Sequence, residues 1–322
     1  MIAAEQQDFA ALLARDDPRQ LAAYLCNVSR YSASHGIAQG HMEYARIQRD
    51  SRYRDFVARM ALDKLILLAE AVGAIAPDNP EQGEMGRGLR SSPEDLVELV
   101  EQRLGLSIAP PAVDGAMLKL HTDRGQFGER DLNAIYTAHL LNGLRAVRGR
   151  DTSVCEIGGG TGRVAYWSRR MGLRSYTIID LPLINVVQGF YALKTMPRDE
   201  VVLYGERPSG EASGRLQILP PHAVEELGDK AFDLFLNQDS IPEMDQGIAE
   251  GYLGWIARVC RGAFVSINHE TKAPYGVDGQ AQLSVHEMAD RVDGLLLEAR
   301  YPYWLRRGYV LEIYAARLAP TS

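Results

Sequence analysis

Cysteine is scarce in this chain: three in 322 residues, Cys26, Cys155 and Cys260, far apart and without paired spacing. That excludes a disulfide framework and a cysteine-pair zinc site, and it fits a reducing cytoplasm. No apolar run approaches bilayer-spanning length, so no membrane partner is expected. The opening "MIAAEQQDFAALLARDD" carries acids early and has no basic start before an apolar block; it is not read as a secretion signal. Basic patches are also lacking. Lys and Arg total 35 against 42 Asp and Glu, a net charge of −7, and arginines occur as scattered pairs such as Arg169-Arg170 and Arg306-Arg307. Nucleic acid would be repelled, which leaves a small molecule as the expected partner. No internal repeat is evident.

What is present is an ordinary globular balance, 46% apolar and 24% charged, in a chain long enough for a core domain plus a smaller one. Residues 1–148 read as helical. Tyr53, Phe56, Val57, Met60, Ala61, Leu65, Leu68 and Val72 recur at three- and four-residue steps, and Gly73 and Pro77 end that face. Residues 75–91 are rich in Gly, Pro and polar side chains and read as a loop. Ser92 is placed to cap a new helix, with Pro93 at its first position and Asp95 three after the cap. Another apolar face runs from Leu132 through Ile135, Tyr136 and His139 to Val147. Residues 34–41, "SHGIAQGH", carry two histidines without metal spacing and read as a substrate-side loop or a plain turn.

After residue 150 the rhythm changes. β-rich runs at 153–158, 175–180, 215–220, 232–237 and 263–268 alternate with helical runs at 162–171, 183–194 and 247–260. This alternation predicts a parallel, doubly wound sheet. Either 201–206 or 215–220 is its third strand. Two strand-like pieces near the end, joined at Arg307-Gly308, predict an antiparallel hairpin at the sheet edge.

Between the first strand and its helix lies "VCEIGGGTGR", with four glycines in ten residues. Glycines at a strand-to-helix turn let a ligand approach backbone N–H groups. Gly158, Gly160 and Gly162 form G-x-G-x-G, with Glu156 two residues upstream and Asp180 eighteen after Gly162 at the end of the second strand. An acid there can accept from both hydroxyls of a ribose. Gly160, Gly162 and Ala165 also match a nicotinamide-dinucleotide fingerprint, so a NAD-dependent dehydrogenase is one alternative. Glu156, the helical N-terminal region and the terminal hairpin favour S-adenosyl-L-methionine.

On those residues, 150–318 resemble class I S-adenosylmethionine-dependent methyltransferases. The resemblance implies an α/β fold, Rossmann-like, with a mostly parallel seven-stranded sheet and a terminal antiparallel hairpin. The expected division is a helical cap over 1–148, for substrate or dimerisation, and a cofactor-binding domain over 149–322. It further implies that Glu156, Gly158, Gly160 and Gly162 line the methionine end and that Asp180 binds the ribose. Leu181 would pack on adenine, Pro220 border the adenine edge, and Asn237 with Gln238 face the methionine portion.

Asp180-Leu181-Pro182 and "NQDSIPEMD" (237–245) narrow the resemblance to bacterial sugar O-methyltransferases. For the acceptor, Asp239, Ser240, Glu243 and Met244 follow the fourth strand, and His269 and Glu270 follow the fifth, where doubly wound sheets place their sites. His269 is the expected general base, with Asp239 and Glu243 as catalytic acids. Tyr136 could cover the cofactor or contact substrate. The acids could also ligate Mg²⁺, a version not favoured, or grip a cationic guanidine or amine such as free L-arginine. A methyltransferase-like protein that binds without turnover is the non-enzymatic alternative. A homodimer through the apolar N-terminal helices is a further expectation.

Overall fold

The computed structural model describes residues 7–34, 41–79, 81, 90–113, 120–148, 151–208, 213–229, 231–271 and 282–316. They form two compact units, one within Met1–Leu141 and Val186–Thr195, the other within Asn142–Asn185 and Met196–Ser322.

The first unit is mainly helical: α1 (Gln7–Leu13), α2 (Pro18–Leu25), α3 (His41–Arg49), α4 (Ser51–Ala71) and α5 (Pro93–Leu104), followed by α6 (Glu129–Arg148). Local chemistry sets their ends. Asp50 caps α4 by accepting from the N–H groups of Arg52 and Tyr53, and Gly73, at φ +73°, turns the chain away after it. Ser92 and Asp95 form a reciprocal capping box at α5, as their spacing predicts, and Gly105 at φ +69° ends that helix. Arg103 of α5 donates to the Val72 carbonyl at 2.8 Å, tying α5 to the end of α4. The expectation that 1–148 is helical is corrected at one place by a small hairpin, β1 (Leu120–Thr122) with β2 (Gly125–Phe127). Strands of three residues carry too little alternation to be read from sequence. Of the two loops singled out above, residues 35–40, 80 and 82–89 lie outside the described residues.

The second unit is built on an eight-stranded sheet: β3 (Ser153–Ile157), β4 (Ser175–Ile179), β5 (Val201–Leu203), β6 (Leu216–Leu219), β7 (Phe232–Gln238), β8 (Cys260–His269), β9 (Leu295–Pro302) and β10 (Tyr309–Ala316). Their order is β5-β6-β4-β3-β7-β8-β10-β9. Neighbours from β5 to β8 are parallel, and β10 is antiparallel to both β8 and β9. Between strands run α7 (Arg163–Arg170), α8 (Pro182–Thr195), which belongs to the first unit from Val186 onward, α9 (Gln246–Val259) and α10 (Val285–Ala289).

One expectation changes here. The sheet has eight strands rather than seven, because 201–203 and 216–219 both join it, with β6 beside β4 and β5 outside. The antiparallel hairpin lies at the sheet edge as expected, with β10 inserted between β8 and β9 and β9 outermost. The connection between β9 and β10 spans Tyr303 to Gly308, and Gly308 supplies a positive φ of 85° at its end.

One face of the sheet packs α9 and α10 into a core that includes Ile157, Phe235, Leu253, Phe264 and Tyr314. The amino ends of β3, β7 and β8 are fastened by Asp233, which accepts from the Ser153 N–H at 2.8 Å and from Arg261 at 2.6 and 2.9 Å. Cys155 and Cys260 are buried thiols in this core, and Cys26 is an exposed one in the first unit. No described helix is long and apolar enough to cross a membrane.

Candidate functional site

The turn from β3 to α7 runs from Gly158 to Gly162, with φ of +74° at Gly158, +56° at Gly160 and +85° at Gly162. Side chains disfavour these angles, so the spacing of the three glycines reflects backbone geometry. A Cβ at Gly158 would lie 2.2 Å from Ser240 Oγ, so glycine is also required for space. Gly162 caps α7 without offering a side chain to its first-turn N–H groups. The Gly158 N–H donates to the Ile179 carbonyl at 2.9 Å, and the Asp180 N–H donates to the Leu219 carbonyl at 3.1 Å. Gly158, Asp180 and Pro220 therefore follow three neighbouring strand ends.

Asp180 is half-buried, and its carboxylate accepts the Leu181 N–H at 2.8 Å, which orients it. Leu181 beside it is 45% exposed, an apolar surface next to an acid. Pro220 is buried and starts the 3₁₀ turn Pro221–Glu226. Tyr252 of α9, unnoticed in the sequence, has its phenol pushed up to about 12 by burial and then by the Asp180 charge.

Glu156 lies deeper. It is buried, accepts the Tyr176 hydroxyl at 3.0 Å, and sits 3.1 Å from where a Cβ on Gly159 would be. Burial pushes its carboxyl up to about 8, against the Tyr176 bond and with help from the Asp180 charge. In this structure Glu156 lies against Gly159 of the turn.

Asn237, expected to face a ligand, is fully buried and bonded within the protein. Its amide donates to the Ile157 carbonyl at 3.0 Å and to Ser240 Oγ at 2.6 Å, and its oxygen accepts from Asn268 at 3.0 Å. Ser240 donates in turn to the Ile157 carbonyl at 3.0 Å. The two asparagines and the serine lock the ends of β3, β7 and β8 together, a network that is stable because each member has partners. Ser240 thus turns inward, under Gly158. Met244, half-buried, packs against the core of this unit. Gln238, half-buried, ends β7.

Two acceptor candidates, Asp239 and His269, share Tyr309 as a neighbour. Asp239 is a non-glycine residue at φ +70°, held there because its N–H donates to Asn268 Oδ1 at 3.0 Å. Its carboxylate accepts Arg306 Nη1 at 2.5 Å. The Arg306 guanidinium stacks on Tyr309, with Cζ 3.6 Å from the ring centroid. Burial and then the Asp239 charge push the Tyr309 phenol up; Arg306 opposes this, while a hydrogen bond to Asp239 and the Glu243 charge add to it. His269, half-buried, presents its ring edge-on to Tyr309 at 5.8 Å, and its buried Nδ1 has no hydrogen-bond partner among the described residues.

The other acids serve elsewhere. Exposed Glu270 pairs with Arg300, which also reaches buried Glu312. Asp245 caps α9 by accepting the Gly247 N–H at 2.9 Å. Among the described residues no group of three His, Cys, Asp or Glu side chains is gathered to hold a metal. Tyr136 lies half-buried on α6 in the first unit, with its phenol raised by burial.

Sequence reading missed Asn268, Arg306 and Tyr309. Paired asparagines at two adjacent strand ends were a usable signal for the first. Arg306 and Tyr309 meet Asp239 only through the register of β8 with β10.

No protein-family model and no curated protein matches the chain. Solved structures similar to it include the Burkholderia thailandensis 1,6-didemethyltoxoflavin-N1-methyltransferase, at 19% identity over 57% of this chain and 78% of that one, TM-score 0.41. An O-methyltransferase family protein from Burkholderia thailandensis shares 14% identity over 61% of this chain, which spans 60% of its length, TM-score 0.40. The mitomycin 7-O-methyltransferase shares 13% over 85% of this chain and 99% of that one, TM-score 0.37. The strand order, the glycine turn after β3 and the inserted antiparallel β10 give the chain the Rossmann-like class I methyltransferase fold, with one strand added outside β6.

Proposed function

We propose that the chain is an S-adenosyl-L-methionine-dependent methyltransferase acting on an oxygen or nitrogen of a small polar metabolite, in specialised-metabolite biosynthesis. The observation that carries this is the trio of positive-φ glycines between β3 and α7 standing beside Asp180 at the end of β4. The residues fit the cofactor: glycines leave the main chain open, a carboxylate suits ribose hydroxyls, and exposed Leu181 offers an apolar face to adenine. When bound, S-adenosylmethionine supplies a sulfonium methyl for in-line displacement.

In this reading the main chain of the Gly158–Gly162 turn lies against the amino-acid end, while Asp180, Leu181 and Pro220 hold the nucleoside. Glu156 and Ser240 lie against the turn, Asn237 bonds to Ile157 before it, and Gln238 borders the methionine portion. His269 takes the acceptor's proton, and Asp239 with Glu243 orients the acceptor. Residues 1–148 serve substrate binding or dimerisation, and 149–322 bind the cofactor. The sugar hydroxyl leads as acceptor through the resemblance of Asp180-Leu181-Pro182 and "NQDSIPEMD". A guanidine or amine such as L-arginine is the second reading, supported by the acids Asp239, Glu243, Asp245 and Glu270 that follow β7 and β8.

Titration calorimetry with S-adenosylhomocysteine and with NAD tests the cofactor, and binding of NAD alone would replace the reading with a dehydrogenase. Mass spectrometry of a metabolite extract incubated with enzyme and methyl-labelled cofactor tests turnover. Cofactor binding with no labelled product would leave a non-catalytic binder.

A further inference from the structure

We infer that Asp239 and Tyr309 form a guanidinium seat which the chain fills with its own Arg306, and that this occupancy keeps cationic acceptors out and selects neutral, hydroxyl-bearing ones. The selection rests on the methyltransferase reading; the seat rests on geometry alone. A planar cation binds best with an aromatic face on one side and a carboxylate in its plane. Arg306 has both, Tyr309 at 3.6 Å and Asp239 at 2.5 Å.

Both walls and the occupant are fixed. Asp239 is pinned in its left-handed backbone by Asn268. Arg306 comes from a connection whose Tyr303 and Leu305 are buried, and whose backbone closes through Tyr303 N–H to the Tyr309 carbonyl at 2.8 Å and Tyr309 N–H to the Arg306 carbonyl at 3.1 Å. Its side chain is 25% exposed, unlike a wandering surface arginine.

The charge balance at this end of the sheet then differs from what the acids alone suggest. Asp239 is matched by Arg306, Glu270 shares Arg300 with Glu312, and Asp245 serves a helix end. A guanidinium or ammonium acceptor would have to evict Arg306 against like-charge repulsion. A neutral hydroxyl need not, and it can accept from N–H groups of a guanidinium that carries five.

The test uses methylguanidine as a probe of the seat, by titration calorimetry on the whole chain. Wild-type protein is expected not to bind it. Arg306→Ala is expected to bind it in the millimolar range, and the double variant Arg306→Ala/Asp239→Asn to lose it again. Arg306→Gln serves if the alanine variant does not fold. With labelled cofactor, the ratio of L-arginine to neutral polyol methylation should rise at least tenfold in the Arg306 variant. Methylguanidine bound equally by wild type, no binding by a folded variant, or L-arginine preferred by wild type would each overturn the inference. Parallel titration with S-adenosylhomocysteine separates the two readings: its failure to bind wild type removes the methyltransferase proposal and leaves the seat to be judged on methylguanidine.

Discussion

Glu156 and Asp180 belong to neighbouring strands, and their surroundings give them opposite work. Asp180 is half-open and oriented, so Asp180→Ala should weaken S-adenosylhomocysteine binding tenfold or more, in line with ~1.5–3 kcal/mol for hydrogen bonds to a charged group; calorimetry reads it. Glu156 is buried, with a folded value of about 8 against an ordinary 4.5. The folded state therefore binds more protons between those values, and stability falls as pH rises through that window. Glu156→Gln should flatten the decline in Tm between pH 5 and pH 8. Gly158→Ala meets both a strained φ and Ser240 Oγ at 2.2 Å, and should cost at least about 1–3 kcal/mol in chemical denaturation. His269→Ala should slow turnover and leave cofactor affinity near wild type; full speed would remove it as base. The acid and the glycines were legible because a strand-end spacing carries them. Asn237 was legible as a site residue but not as one facing inward, since its partners Ile157 and Asn268 lie 80 and 31 residues away.

Among elements, the parallel strands were readable because each is a short apolar run followed by a helix. The place of the last strand was not, because insertion between β8 and β9 is decided by sheet register and not by local pattern. The β9–β10 connection shows the same divide: its sequence reads as a turn, yet buried Leu305 anchors it. Leu305→Ala should cost ~2–5 kcal/mol by the cavity it leaves, measured as a fall in the denaturation midpoint. It should also loosen Arg306 from Asp239.

For the molecule as a whole, ligand binding is a stability term. S-adenosylhomocysteine at one hundred times its Kd should add about 2.7 kcal/mol and raise Tm by a few degrees, while NAD should leave Tm unchanged. The threading of β10 has a kinetic meaning as well. Its two neighbours precede it in the chain, so neither gains this partner until residues 309–316 arrive. Among the described residues β9 has no strand partner but β10, so these two close first as a hairpin, and its docking on the open edge of β8 is the later, aggregation-exposed step of refolding. Pulse-labelled deuterium exchange should find the β10 amides that bond to β8 among the last to gain protection.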